Sequence, residues 1–272
     1  MESRLTVLCQ HALLLSTALQ AGACTGATSP PIPRAAPRDL PPGAPSEAGG
    51  QGPSGRTEAA RGRYYGVHLI WLKDAVGFRE YQTAVGPIAA RYGVLDRTLV
   101  PSALYGDGLS KPDLLTVVHY HDRAGVAGLE ADADFRRVVP LRTASIDLVS
   151  VGGASTFAEL APEPSGERQY LVELVRFGEG GEAAYARYAA RAEAAMGPYG
   201  YHVELVLRPE HHSGLAFVPD LVKVAYFDSA DGFGAFHRDP AHPDLERSYG
   251  EVAAESVWIM GAIRPKEPAP RE

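Results

Sequence analysis

Cysteine is almost absent from this 272-residue sequence: Cys9 and Cys24 are the only two. Both lie near the N-terminus, so the rest of the chain has no thiol nucleophile, no disulfide and no cysteine-ligated metal. Positive charge is also in short supply. Lys and Arg number 26 against 33 Asp and Glu, a net charge of −7, and no basic stripe is present to displace counterions from a nucleic acid. Nucleic acid is therefore excluded as a partner. No run of about 18 or more apolar residues occurs, which excludes a membrane-spanning helix. There is no P-loop, no dinucleotide-type glycine turn and no nucleophile elbow. No cofactor and no metal are assigned.

Glycine (29) and proline (22), by contrast, are plentiful. Arg4 precedes an apolar run from Leu5 to Leu19, interrupted by Gln10 and His11, and Ala21-Gly22-Ala23-Cys24 follows. Small residues of this kind suit a signal peptidase. The segment resembles the lipobox of bacterial lipoproteins, with Ala21 where Leu is usual. The resemblance implies a signal peptide over 1–23, lipidation at Cys24, and residence in the bacterial cell envelope, with a lipid anchor as the only membrane contact. Residues 24–62 are rich in Pro, Gly and Ala and cannot bury enough apolar surface to offset ordering, so a disordered tether is expected. The tail 265–272, with Pro265, Pro268 and Pro270, is expected to be loose as well.

The remainder repeats itself. Phe78, Tyr81, Tyr92 and Gly93 recur as Tyr185, Tyr188, Tyr199 and Gly200, at a constant separation of 107 residues. The same step carries Asp113, Leu114 and Val117 onto Asp220, Leu221 and Val224, and Asp132 onto Asp239. One register held across helices and strands implies duplication. Two domains are expected, 64–157 and 167–264, joined by a linker from Glu159 to Gly166. Periodicity gives each the order βαββαβ. The expected elements are strands over 65–72, 95–101, 114–120 and 146–151 with helices over 76–92 and from about 124. In the second domain strands are expected over 170–177, 202–207, 221–227 and 256–260, with helices over 182–199 and from about 231. The fold class is α+β: two tandem ferredoxin-like βαββαβ domains. A four-stranded sheet with both helices on one face must bury the other, so the two copies are expected to pack as an intramolecular pseudo-dimer.

On Phe78-x-x-Tyr81, Pro87 through Tyr92-Gly93, the strand Leu114–Tyr120 and the segment Phe135 to Arg142, the chain resembles the dimeric α+β barrel superfamily, and within it a bacterial domain family of unknown function. The second copy keeps the Tyr-x-x-Tyr and Tyr-Gly landmarks but lacks the Pro-Leu-Arg. The resemblance implies an eight-stranded barrel. It is weak on activity, because the superfamily spans cofactor-free monooxygenases, haem enzymes and apparent non-enzymes.

Strand alternation sorts the candidate site residues. Val172 and Leu174 with Val222 and Val224 form an apolar set, expected under the helices. On the opposite face Glu173 is expected beside Lys223, and His68 beside Thr116, all four pointing into the barrel as weak ligand-binding candidates. A buried Glu–Lys pair needs a reason, and His68 has an acid–base reference value near neutrality. His119 with His121, and His237 with Asp239 and His242, are sparse as metal sets, and Asp239 before Pro240 suits helix capping. His211-His212 reads as a solvated loop tip. The leading expectation is a lipoprotein that binds a small, partly apolar ligand between its two sheets. The alternatives are a cofactor-independent oxygenase or haem-linked enzyme using His68 or a residue near His119, and a structural module of the envelope.

Overall fold

The computed structural model describes residues 63–106, 108–158 and 167–264. The expected signal, Cys24, tether, linker and tail lie outside the described residues. In chain order the first half comprises β1 (Tyr64–Leu72), α1 (Ala75–Ala89), β2 (Gly93–Tyr105), β3 (Leu114–Tyr120), α2 (Arg123–Ala131), α3 (Ala133–Ser145) and β4 (Ile146–Ala158). The second half comprises β5 (Gln169–Phe177), α4 (Gly181–Met196), β6 (Tyr201–Ser213), β7 (Leu221–Phe227), α5 (Ala230–His237), α6 (His242–Val252) and β8 (Ala253–Ile263). The strands close into one barrel in the order β1-β3-β2-β8-β5-β7-β6-β4. Within each half the order is the same: β4-β1-β3-β2, then β8-β5-β7-β6.

The repeated landmarks are structural fastenings. Asp113 accepts a hydrogen bond from the Leu72 amide at 2.7 Å, and Asp220 one from Phe177 at 2.8 Å. Tyr92 donates its hydroxyl to Asp132 at 2.7 Å, and Tyr199 donates to Asp239. Asp132 also accepts from the amides of Asp134 and Phe135, capping α3. Its extended backbone divides into α2 and α3 what the sequence suggests as a single helix. Asp239 accepts from the Ala241 amide in the turn ahead of α6, but the N-cap of that helix is Ala241 with no side-chain cap, so the capping expected of Asp239 is not what it does.

Strands β2 and β6 run past their expected ends at 101 and 207, and these extensions close the barrel. Pro101 on β2 pairs with Gly261 on β8, next to a register shift. Pro209 on β6 pairs with Gly153 on β4, also at a shift. Proline has no amide to donate and is tolerated where a bulge interrupts the ladder, which is why it misleads as a strand terminator here. Each facing glycine admits close backbone approach: a Cβ on Gly261 would stand 2.7 Å from the Val100 carbonyl oxygen, and one on Gly153 would collide with the Arg208 carbonyl. Gly153→Ala is expected to force the β4–β6 seam apart and lower stability by about 1–3 kcal/mol, read as a fall in the urea midpoint. The control Gly86→Ala, with open space at its Cβ, should not.

The barrel interior is solid. Tyr65, Leu69, Leu115 and Val149 from the first half interdigitate with Tyr170, Leu174, Leu205, Val224 and Ile259 from the second. At one end Arg97 meets Glu204 at 2.6 Å, and its guanidinium also donates to the Tyr170 hydroxyl at 2.8 Å. These two charged residues occupy equivalent places in the halves, 107 residues apart. They therefore pair across the pseudo-twofold relation as two copies in a symmetric dimer would.

Candidate active site

His68 does face Thr116 in the ladder, and Glu173 does face Lys223. Their side, however, is the reverse of the expected one. Val172, Leu174, Val222 and Val224 point into the barrel, and the four polar residues point outward, beneath the helices. Alternation yields two sets without saying which neighbour each meets. The purely apolar set goes where a second sheet excludes water completely, and the mixed set goes under amphipathic helices.

The two halves then differ. In the second, Glu173 is wholly buried and its carboxylate holds the Lys223 ammonium at 2.8 Å, while the Tyr185 hydroxyl donates to it at 2.7 Å. Trp258, the ladder partner of Glu173, donates its indole N–H to the Tyr249 hydroxyl at 2.9 Å. Tyr185, Tyr188 and Tyr249 pack ring to ring above them. Burial pulls down the proton affinity of Lys223, but the adjacent Glu173, Tyr201 and Tyr185 outweigh it and hold the ammonium protonated well beyond its ordinary range. Burial, then Glu173, pushes the Tyr185 hydroxyl far up. Lys223 and Tyr185 both engage Oε2 of Glu173, its Oε1 is buried without a hydrogen-bond partner, and the pair lies under aromatic rings rather than lining the first-half cavity.

In the first half the equivalent space is open. Ser150 stands at the ladder position of Trp258, Thr116 at that of Lys223, and Ala89 at that of Met196. The lost volume leaves a cavity of about 490 Å³ between the sheet and helices α1 and α3, a size common for small-molecule sites. Its walls are apolar (Phe78, Val85, Val118, Phe135 and Leu148 among them), and its polar groups are few: His68, Thr116, Tyr120, Tyr81, Gln82 and Arg142. Arg142 occupies the place of Tyr249. Its guanidinium lies 5.8 Å from the Phe135 ring centre and acts on the Tyr81 hydroxyl, favouring its charged form. Burial raises the Tyr81 hydroxyl, with Arg142 opposing, and burial pushes Tyr120 up to about 12.

His68 is the group that stands out. Its Nδ1 is buried and meets no hydrogen-bond partner, so the ring is not held as a structural donor. Burial, reinforced by His211 and Arg142, lowers it to about 4, leaving a neutral imidazole at neutral pH. Because the unfolded chain takes up this proton near 6.5 and the folded chain only near 4, the unfolded state binds more protons between those values. Stability is therefore expected to fall as pH drops from about 6.5 to 4. His68→Gln should remove on the order of 1–2 kcal/mol of that fall, allowing for partial exposure to the cavity. Urea midpoints at pH 7 and 4.5 measure it.

The other histidine sets do not join this site. His119 turns to the opposite face and stacks on Tyr65 at 4.7 Å, and His121 is exposed. His237 and His242 lie together by Phe233 and Phe236 in the second half. Among the described residues no group of three His, Cys, Asp or Glu side chains is disposed to hold a metal. His211 sits on the long strand β6, not in a loop. Arg142, Tyr81 and His211 were all missed as site residues by sequence reasoning.

No protein-family model and no curated protein matches the chain. Solved structures do. A protein assigned as a monooxygenase from Fusobacterium nucleatum subsp. nucleatum aligns at a TM-score of 0.50 and 8% identity, over 75% of this chain and 93% of its own. An anthrone oxidase-like protein aligns at 0.47 and 12%, over 76% and 94%. A chlorite dismutase from Candidatus Nitrospira defluvii aligns at 0.46 and 10%, over 75% and 92%. The chain has the dimeric α+β barrel fold. At such identities the likeness is one of fold, and the chemistry rests on the site.

The leading expectation of a lipoprotein of unknown activity that binds a small, partly apolar ligand between its two sheets is overturned. That space is filled by interlocked side chains. The cavity lies outside the barrel and holds an acid–base group. The haem branch of the alternative was tested against the same residues. A haem requires an axial ligand presented to the iron, but the one imidazole turns its Nε2 toward Gly66, 2.9 Å from where a Cβ would stand. The one lining guanidinium packs on the Phe135 ring beside Tyr81. These residues do not fit a haem.

Proposed function

We propose that the chain is a cofactor-independent oxygenase whose first-half cavity binds a flat, apolar, enolisable aromatic ketone or phenol. The observation that carries this reading is a neutral, unpartnered imidazole in an apolar cavity that also holds a guanidinium and a tyrosine hydroxyl. His68 takes the acidic C–H proton of the substrate. The enolate oxygen that forms is held by Arg142 and the Tyr81 hydroxyl, in a dry site where such contacts are strongest. The carbanion carbon bonds to dioxygen, the resulting peroxide takes up one proton from solvent in place of the one the imidazolium gives up, and loss of water across the remaining C–H leaves a carbonyl. One substrate and one O₂ give one quinone and one water, with no external reductant. A low proton affinity makes His68 a weak base in the empty site, and the enolate formed beside it supplies the counter-charge that the empty site lacks.

We read the halves as tandem ferredoxin-like domains, 64–157 and 167–264, of which the first kept a site and the second filled it. The common strand order and the paired fastenings support this. Anthrone serves as a probe because it is flat and apolar, with one ketone and one acidic methylene. Oxygen uptake matched by anthraquinone formation is the expected result, and uptake no faster than in buffer across anthrone and related enolisable aromatics would overturn the proposal.

A further inference from the structure

His68 and His211 come from different halves of the chain yet share one face of the first-half sheet. His68 folds back over Gly66, whose Cβ would stand 2.9 Å from its Nε2. The His211 ring lies over Gly152, where a Cβ would collide with its Cε1 and crowd its Nε2. Gly66 and Gly152 are directly opposed in the ladder between β1 and β4, and Gly152 is in turn opposed to His211 on β6. Cβ positions of opposed residues lie about 4.5–5.5 Å apart, so the two imidazoles stand over adjoining places on a floor of two glycines. Any larger side chain at either glycine would push a ring away.

The far side of His211 is also built. Its Nδ1 lies 3.0 Å from the Tyr64 hydroxyl, and the two rings stack with 17° between their planes. Tyr64 is pushed up to about 12 by burial and by the Glu210 carboxylate, which is itself paired with Arg123 at 2.6 Å. His211 is exposed to solvent, whereas His68 is only partly exposed, on the cavity wall. The groups facing His68 are Thr116 and Tyr120 from β3, Ser150 from β4, Tyr81 from α1, Arg142 from α3 and His211 from β6. Of these, only His211 combines exposure to solvent with an imidazole, whose two nitrogens can accept a proton and donate one.

We propose that His211 is the proton outlet of the His68 site, carrying protons between the cavity-wall imidazole and solvent across the Gly66–Gly152 floor. The N–H bond of the His68 imidazolium breaks as one forms on His211, directly or through water. His211 then releases its proton to solvent, and no electron moves. Tyr64 and Glu210 fix the ring so that its Nε2 stays over Gly152. The second half, which has no open site of its own, thereby completes the first. This inference rests on His68 as the base, and the experiment separates the two.

The full chain with ¹⁵N-labelled histidine is compared with His211→Gln and Tyr64→Phe. The first readout needs no substrate: exchange of the His68 ring N–H with water, by NMR. It is expected to slow several-fold in His211→Gln and less in Tyr64→Phe, which keeps the ring. The second is anthrone turnover: in dilute buffer kcat should fall several-fold in His211→Gln with KM unchanged, and added imidazole should restore it. Exchange at the wild-type rate in His211→Gln overturns the outlet, as does a turnover defect that imidazole leaves unrepaired. If the wild type does not oxidise anthrone, the functional reading fails while the exchange measurement still decides the outlet.

Discussion

His68→Ala is expected to lower kcat/KM for anthrone oxidation by about 10²–10⁴-fold, the usual worth of a positioned general base. Two further measurements distinguish loss of a base from loss of shape. His68→Gln, which keeps bulk and a polar end, should be nearly as slow as the alanine variant, because an amide cannot take the proton. The wild-type acid limb should lie near the depressed value of about 4, so kcat/KM stays level from neutrality to about pH 5, well below where an ordinary imidazole would titrate. Removing either neighbour that disfavours its charge, as in Arg142→Gln, should move that limb upward while also weakening the hold on the enolate. An acid limb near 6.5 in the wild type, or a His68→Gln enzyme as fast as the wild type, would remove His68 from the base role.

The correspondence between the two halves was legible because it is written in fastenings with strict geometry. Asp113 and Asp220, Tyr92 with Asp132 and Tyr199 with Asp239 must recur wherever the backbone does. Cross-strand pairing was legible too, since His68 with Thr116 and Glu173 with Lys223 follow from register. The face each pair occupies was not, because a period of two is blind to which side carries the helices. Nor was the cavity. It exists because Ser150 and Ala89 are small where Trp258 and Met196 are large, a difference of volume among residues brought together from distant parts of the chain. His211 was hidden by Pro209, which reads as the end of a strand but sits at a seam bulge.

Glu173→Leu is expected to be the most damaging single change outside the cavity. It strands the Lys223 ammonium, only 4% exposed, among Tyr185, Tyr201 and Trp258, with no carboxylate to answer it. Removing one partner of a buried pair costs about 3–5 kcal/mol, or on the order of a 10 °C fall in Tm for a barrel of this size. The sign with pH follows from Lys223, whose folded-state proton affinity lies above its unfolded value. Its contribution is whole below about 10.5 and lost only as pH rises through the folded value, so the wild-type pair is intact throughout the neutral range. In Glu173→Leu that main support is gone, burial then acts on Lys223 against Tyr201 and Tyr185 only, and raising the pH should partly restore stability by favouring the neutral amine. The double variant Glu173→Leu/Lys223→Met should recover most of the loss, since matched apolar replacements of a buried pair are often neutral or better. Calorimetry of the four proteins closes the cycle. Additive losses in the double variant would mean that the pair is not coupled as its 2.8 Å contact implies.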